Sequence, residues 1–125
     1  MTTKVLVIED NPDIREIISF LAKTNGYEVT AVASAEEALA QPFSCDMVLV
    51  LDLMLPDMNG IALVLELERR GLRRMPILVM SASRRQLVQA QEANIGDAYI
   101  LKGARGFSFH TVMDAIGKLS LQQAS

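Results

Sequence analysis

Short unbroken apolar runs alternate along this chain with stretches whose apolar residues recur every three or four positions. Val5-Leu6-Val7-Ile8 has no polar alternation, the pattern of a strand buried on both faces. Asn11 then offers a helix N-cap, with Pro12 at the first helical position. Ile14, Ile17, Ile18 and Leu21 follow at helical spacing, and Gly26 sits where a C-cap glycine belongs. Residues 27–32 read as a second strand. Ser34 and Glu37 have capping-box spacing and open a short helix that Pro42 closes.

The third strand, 47–51, is the most apolar and ends at Asp52. Pro56 and Asn59-Gly60 mark a loop. A helix is predicted over 61–70, a strand over 77–80, and a helix over 84–93 with Asn94 in the left-handed cap. A fifth strand covers 98–101, and a last helix runs from 108 to about 119 with Val112, Met113, Ile116 and Leu119 as its stripe. Five strand–helix units with short links predict an α/β fold: a doubly wound, five-stranded parallel sheet with helices on both faces. The flavodoxin-like strand order 2-1-3-4-5 is the natural arrangement of five such units. One domain is expected over 1–121, with 122–125 a frayed tail or the start of a linker.

Composition narrows the function. The chain has 125 residues, 50% hydrophobic and 22% charged, enough for one packed core. Its 15 acids against 12 bases leave a net charge of −3, which argues against direct nucleic-acid binding by this domain. A single cysteine, Cys45, makes no internal disulfide and fits a reducing compartment. No apolar run approaches the ~20 residues of a membrane span, and Val5–Ile8 runs straight into Glu9-Asp10. The expectation is a cytoplasmic domain without membrane contact.

In a parallel sheet of this kind every strand ends at one edge, and ligands bind there. Strand one ends in Glu9 and Asp10, strand three in Asp52, strand four in Ser81 and strand five in Lys102. Three carboxylates crowded together repel one another, and a hard divalent cation such as Mg²⁺ answers that repulsion. Metal, carboxylates and phosphate make a phosphoryl-transfer arrangement, in which a carboxylate can act as nucleophile and form an aspartyl phosphate. Asp52, on the central strand, is the best candidate. Ser81 could donate to a phosphoryl oxygen, and Lys102 could pair with another as a point charge.

Four stretches then carry a specific resemblance: 5–11, 48–60, 77–82 and 97–102. In order and spacing the chain resembles the receiver domain of two-component response regulators, the single-domain chemotaxis receiver being the simplest relative. The resemblance implies that Asp52 is the phosphoacceptor, taking phosphate from a phosphohistidine. It implies Mg²⁺ held by Glu9, Asp10, Asp52 and the backbone carbonyl of Met54, with Ser81 as switch hydroxyl and Lys102 on the phosphate. Tyr99 matches the aromatic whose rotamer reports phosphorylation, and helix 4, strand 5 and helix 5 form the output face. The partners implied are a sensor histidine kinase or phosphotransfer protein, and a downstream effector or fused output domain; a phosphorylation-dependent dimer through the helix 4–strand 5–helix 5 face is a further possibility that the sequence does not itself support. Such a domain is not an enzyme with a separate substrate; it catalyses only its own phosphorylation and dephosphorylation.

Two alternatives compete. A degenerate receiver would bind partners independently of phosphorylation. A Mg²⁺-dependent phosphatase would need a second aspartate two residues after the nucleophile, where Met54 stands. The chain also departs from the family after its lysine. Proline and an aromatic usually follow directly, but here the order is Lys102-Gly103-Ala104-Arg105-Gly106-Phe107. The two glycines are expected to rebuild the turn, with a role for Arg105 at the phosphate or a partner as the competing reading. Met54 and Ser83 offer no strong base to an attacking water, so a moderately long-lived aspartyl phosphate is expected. Asp57 reads as a solvated turn acid, His110 as a helix-surface residue and Cys45 as small and half-buried. In the basic band Arg69, Arg70, Arg73, Arg74, Arg84 and Arg85, the first two suit a helix C-terminus, whereas Arg84 and Arg85 at a helix start fit a partner-facing role equally well.

Overall fold

The structure, a computed structural model, describes residues 3–123. Its strands β1 (Lys4–Ile8), β2 (Glu28–Val32), β3 (Met47–Asp52), β4 (Ile77–Ser81) and β5 (Ala98–Leu101) pair in parallel in the order β2-β1-β3-β4-β5, as the pattern predicts. The connecting helices are α1 (Pro12–Thr24), α2 (Ala35–Leu39), α3 (Gly60–Arg69), α4 (Arg84–Glu92) and α5 (Phe109–Gln123). β3 is central and all six of its residues are buried, whereas edge strand β2 buries only Val32 fully. That is why β3 reads as an unbroken apolar run.

Side chains on successive strand residues point to opposite faces, and each face has its own core. Leu6, Ile8, Leu49, Leu51, Ile77 and Val79 pack with Ala35 and Ala38 of α2, Leu63, Val64 and Leu67 of α3, and Leu87 and Ala90 of α4. Val5, Val7, Val48, Val50, Leu78 and Met80 pack with Ile18 of α1 and Val112, Ile116 and Leu119 of α5. The register aligns Ile8 with Leu51, Asp52 with Met80 and Ser81 with Leu101. The residues that follow the strand ends therefore emerge along one edge.

Local signals set most boundaries. Asn11 caps α1, its Oδ1 accepting from the N–H groups of Asp13 (2.9 Å) and Ile14 (3.1 Å). Asn94 adopts the left-handed conformation expected of it, with φ 53°. α5 differs: it runs to Gln123, past 119 and into the stretch expected to fray. Residues 124–125 of that stretch lie outside the described residues. Among the described residues no helix is long and apolar enough to cross a membrane.

Asp57 does more than face solvent. Its two oxygens accept from the N–H groups of Ala35 (3.0 Å) and Glu36 (2.8 Å), fastening the loop after β3 to the start of α2. The bonds from Glu36 and then Ala35 hold its carboxyl below the ordinary carboxylate value. A lowered folded-state pKa means stability that is present above the unfolded value and is lost as pH falls through the folded one. The melting-temperature gap between the native chain and Asp57→Ala is accordingly expected to be largest near neutral pH and to close on acidification below about 4. A gap that persists unchanged at acid pH would mean the carboxylate's charge is irrelevant to this tether.

Candidate functional site

The strand tips enclose an open cleft of about 710 Å³ lined by Glu9, Asp10, Asp52, Met54 and Lys102, among others. A larger groove, about 830 Å³, runs between α1 and α5, but the clustered acids are not in its walls. Among the described residues, Glu9, Asp10 and Asp52 form the trio in which one carboxylate oxygen from each lies within 4.8 Å of the other two. Glu9 is fully buried, Asp52 is 3% exposed, and Asp10 is open to solvent.

Lys102 joins two of them. Its Nζ donates to Glu9 Oε1 (2.9 Å) and to Asp52 Oδ2 (3.1 Å). Asp52 Oδ1 accepts from Met54 N–H (3.2 Å), and Glu9 Oε2 from Asn11 N–H (3.3 Å). Burial pushes the Glu9 carboxyl up to about 7, helped by Asp52 and opposed by Lys102. Burial works against the Lys102 charge, yet its bond to Glu9 and the charges of Asp52 and Glu9 outweigh that and hold it above its ordinary value.

Mg²⁺ suits this donor set. Three carboxylates face one ammonium, all the ligand atoms are hard oxygens, and exposed Asp10 leaves the cleft open to a hydrated ion. Lys102 Nζ already supplies one cation between Glu9 and Asp52.

The unusual loop after Lys102 keeps it in place. Gly103 (φ 76°) and Gly106 (φ 89°) take conformations that disfavour side chains, and Phe107 N–H closes the turn on Ala104 O (2.9 Å). Lys102 N–H also donates to Ser81 O (2.8 Å), extending the β4–β5 ladder. Arg105 is exposed and does not line the cleft.

Two expected site residues stand outside it. Ser81 is fully buried at the end of β4, but its Oγ accepts from Ser83 N–H (3.0 Å) and does not line the cleft. Tyr99 is half-buried, and its hydroxyl accepts from Gly96 N–H (2.9 Å) and donates to Gly96 O (3.0 Å). That places the hydroxyl at the start of β5, opposite the end that carries Lys102. A Cβ on Gly96 would lie 2.5 Å from Val79 Cγ2 and 3.3 Å from the Tyr99 ring, so the ring's seat requires glycine.

Arg15 is a site residue that sequence reasoning missed. From the first turn of α1 its Nη1 donates to Glu9 O (2.9 Å) and Asp10 O (3.3 Å), bracing the turn that presents both acids. The available signal was its position one helical turn beyond the Asn11 cap. Much of the basic band is occupied locally: Arg69 and Arg70 pair with Glu66, and Arg73 with Glu68 and Asp97. Arg84, Arg85 and His110 are exposed, and so is Cys45, which sits in the turn before β3 rather than half-buried.

Comparison with known proteins agrees with this geometry. The response regulator SaeR of Staphylococcus aureus is 30% identical over 101 residues, which are 80% of this chain and 44% of SaeR. The chain thus spans less than half the length of the curated relatives it matches. A CheY-like response regulator receiver domain protein from Methanospirillum hungatei superposes with a TM-score of 0.81 at 26% identity, covering 99% of this chain and 98% of that one. TrrA of Thermotoga maritima, solved in complex with Mg²⁺ and beryllofluoride, gives a TM-score of 0.78 at 26% identity over 94% and 99% of the two chains. The response regulator receiver domain family matches residues 5–110. That span takes in β1 from Val5 through the whole sheet to the start of α5, and the chain belongs to the response regulator receiver domain family of two-component systems.

Proposed function

We propose that this chain is a phosphorylation-driven signalling switch whose phosphoacceptor is Asp52. Receiver domains are switches rather than enzymes with separate substrates, and they work with histidine kinases and effector domains. The observation that supports the reading most is the setting of Asp52: a nearly buried carboxylate at the tip of the central strand, beside Glu9 and Asp10, with Lys102 Nζ at 3.1 Å.

The donor is a phosphohistidine on a sensor kinase or phosphotransfer protein. An Asp52 carboxylate oxygen attacks phosphorus, the P–N bond breaks, and the imidazole leaves with the electron pair and takes up a proton. Glu9, Asp10, Asp52 and the Met54 carbonyl would hold Mg²⁺, which when bound neutralises charge on the phosphoryl oxygens. Lys102 exchanges one of its carboxylate partners for a phosphoryl oxygen. The Ser81 hydroxyl turns from Ser83 N–H and donates to another. Movement of Ser81 shifts the population of the α4–β5–α5 face, Tyr99 included, and that face meets the effector or a second copy of the domain. Neither Met54 nor Ser83 offers a strong base to an attacking water, and the acyl phosphate persists.

Incubation with acetyl phosphate and Mg²⁺, read by mass spectrometry, tests this. One acid-stable, base-labile phosphate is expected, absent in Asp52→Asn. No modification of the native chain, or full modification of Asp52→Asn, overturns the reading; the first result would favour a phosphorylation-independent interaction module.

A further inference from the structure

The N-terminus of α4 is capped on one side only. Ser83 is its N-cap, and Ser83 Oγ accepts from Gln86 N–H (3.2 Å). Ser-x-x-Gln is capping-box spacing, in which the glutamine side chain reaches back to the N-cap N–H. Here that N–H is already taken, since Ser83 N donates to Ser81 Oγ at 3.0 Å. Gln86 Oε1 is left buried, the one buried side-chain oxygen or nitrogen among the described residues with no hydrogen-bond partner. α2 shows a related reach, one residue further back, within the same molecule. Its cap Ser34 accepts from Glu37 N–H (3.1 Å), and Glu37 Oε2 accepts from the N–H of Ala33, the residue before the cap (3.1 Å).

We propose that Gln86 is a positioning residue for the switch: when Ser81 Oγ turns to the phosphoryl group on Asp52, Gln86 Oε1 takes the Ser83 N–H and completes the α4 capping box. The inference rests on the role given to Ser81 above. Its physical basis is a competition of two acceptors for one donor. In the resting state Ser81 wins, and Gln86 Oε1 is buried unpaired, which is costly. If Ser81 turned away with no successor, the Ser83 N–H would be orphaned instead. Capping-box spacing gives the Gln86 side chain that reach, so departure of Ser81 would leave both groups satisfied. Gln86 therefore lowers the free energy of the switched state and raises that of the resting one. The re-formed cap acts directly on the first turn of α4, which carries exposed Arg84 and Arg85, so the hydroxyl's movement is transmitted to the output face.

Beryllofluoride with Mg²⁺ serves as the phosphoryl mimic, titrated against the native chain, Gln86→Ala and Gln86→Glu. Gln86→Ala is expected to bind it about fivefold more weakly, the worth of roughly one hydrogen bond. Gln86→Glu, which keeps an acceptor at the capping-box position, is expected to restore native affinity or exceed it. The Ser83 amide resonance should shift on beryllofluoride binding in the native chain, and differently in Gln86→Ala. A double-mutant cycle of resting-state melting temperatures supplies the second readout. Gln86→Ala should not lower the melting temperature of the native chain, but should lower that of Ser81→Ala, where Gln86 already holds the N–H. Equal beryllofluoride affinity in the native chain and Gln86→Ala, failure of Gln86→Glu to restore it, or equal destabilisation in both backgrounds overturns the inference. Absence of beryllofluoride binding by the native chain overturns the phosphoacceptor reading, and the melting cycle still decides the competition for Ser83 N–H.

Discussion

Replacing Lys102 with methionine is expected to cost the metal-free protein about 3 kcal/mol or more at pH values above about 7, where Glu9 is ionised, the usual penalty for removing one partner from a buried ion pair. For a chain of this size that is a fall in melting temperature on the order of 10 °C. The reason is local. Lys102 Nζ is the cation bonded to both fully buried Glu9 and nearly buried Asp52, and the methionine leaves their charges facing each other. Two conditions should relieve the loss. Acidification relieves it because Glu9, already raised to about 7 by burial and by Asp52, takes up a proton. Millimolar Mg²⁺ relieves it because the acids regain a cation, and Mg²⁺ should bind the variant more tightly than it binds the native chain.

The native protein carries a weaker form of the same pH dependence. Between its ordinary value of 4.5 and about 7, folded Glu9 holds a proton that the unfolded chain has lost. Stability from this group is therefore fully present below 4.5 and is lost as pH rises through about 7. A Lys102→Met deficit that ignores both pH and Mg²⁺ would show that the lysine matters only for packing.

The second large effect belongs to a glycine. Gly60→Ala is expected to destabilise the fold by roughly 2–3 kcal/mol, as overpacking against an unyielding neighbour does. A Cβ there would lie 2.8 Å from Leu53 Cα and 3.1 Å from Asp52 O, both backbone, and Gly60 N–H donates to Leu53 O at 2.8 Å. Alanine's better helix propensity is worth at most about 1 kcal/mol and does not offset that contact. Because the crowded backbone is that of Asp52 and its neighbour, Mg²⁺ affinity should fall as well. Gly117→Ala in α5 is the control. Its Cβ would meet only Tyr27 Oη at 3.9 Å, so the same substitution should stabilise slightly. Urea unfolding midpoints of the two variants moving in the same direction would refute the close-approach argument.

The elements themselves were readable along the chain. An unbroken apolar run over Met47–Asp52 means burial on both faces, and a periodic run behind Asn11-Pro12 means a capped helix; both signals lie within a few residues of where they act. The limits of such reading appear at α5. Its polar end at Gln122 and Gln123 suggested fraying, but the helix continues through both, and no local stop signal such as glycine or proline interrupts it. The acids and the lysine of the cleft were legible for a related reason. Each lies at the end of an apolar run, and a parallel sheet brings all such ends to one edge. Hydrogen-bond partners were not legible. Asp57 looks like an ordinary loop acid until α2 is seen to lie against it, and nothing in the sequence signals that the Tyr99 hydroxyl bonds the backbone of Gly96.

By itself, then, the order of residues settled which segments are strands, which are helices, and which polar groups sit at the strand tips, because periodicity and capping act over about four residues. Tertiary structure alone decided which donor meets which acceptor: Lys102 with Glu9 across 93 positions, Asp57 with Ala35 across 22, and Ser83 with Ser81 in preference to Gln86. Those choices depend on ångström-scale distances set by sheet register and helix packing, and such distances are properties of the assembled core rather than of any stretch of chain.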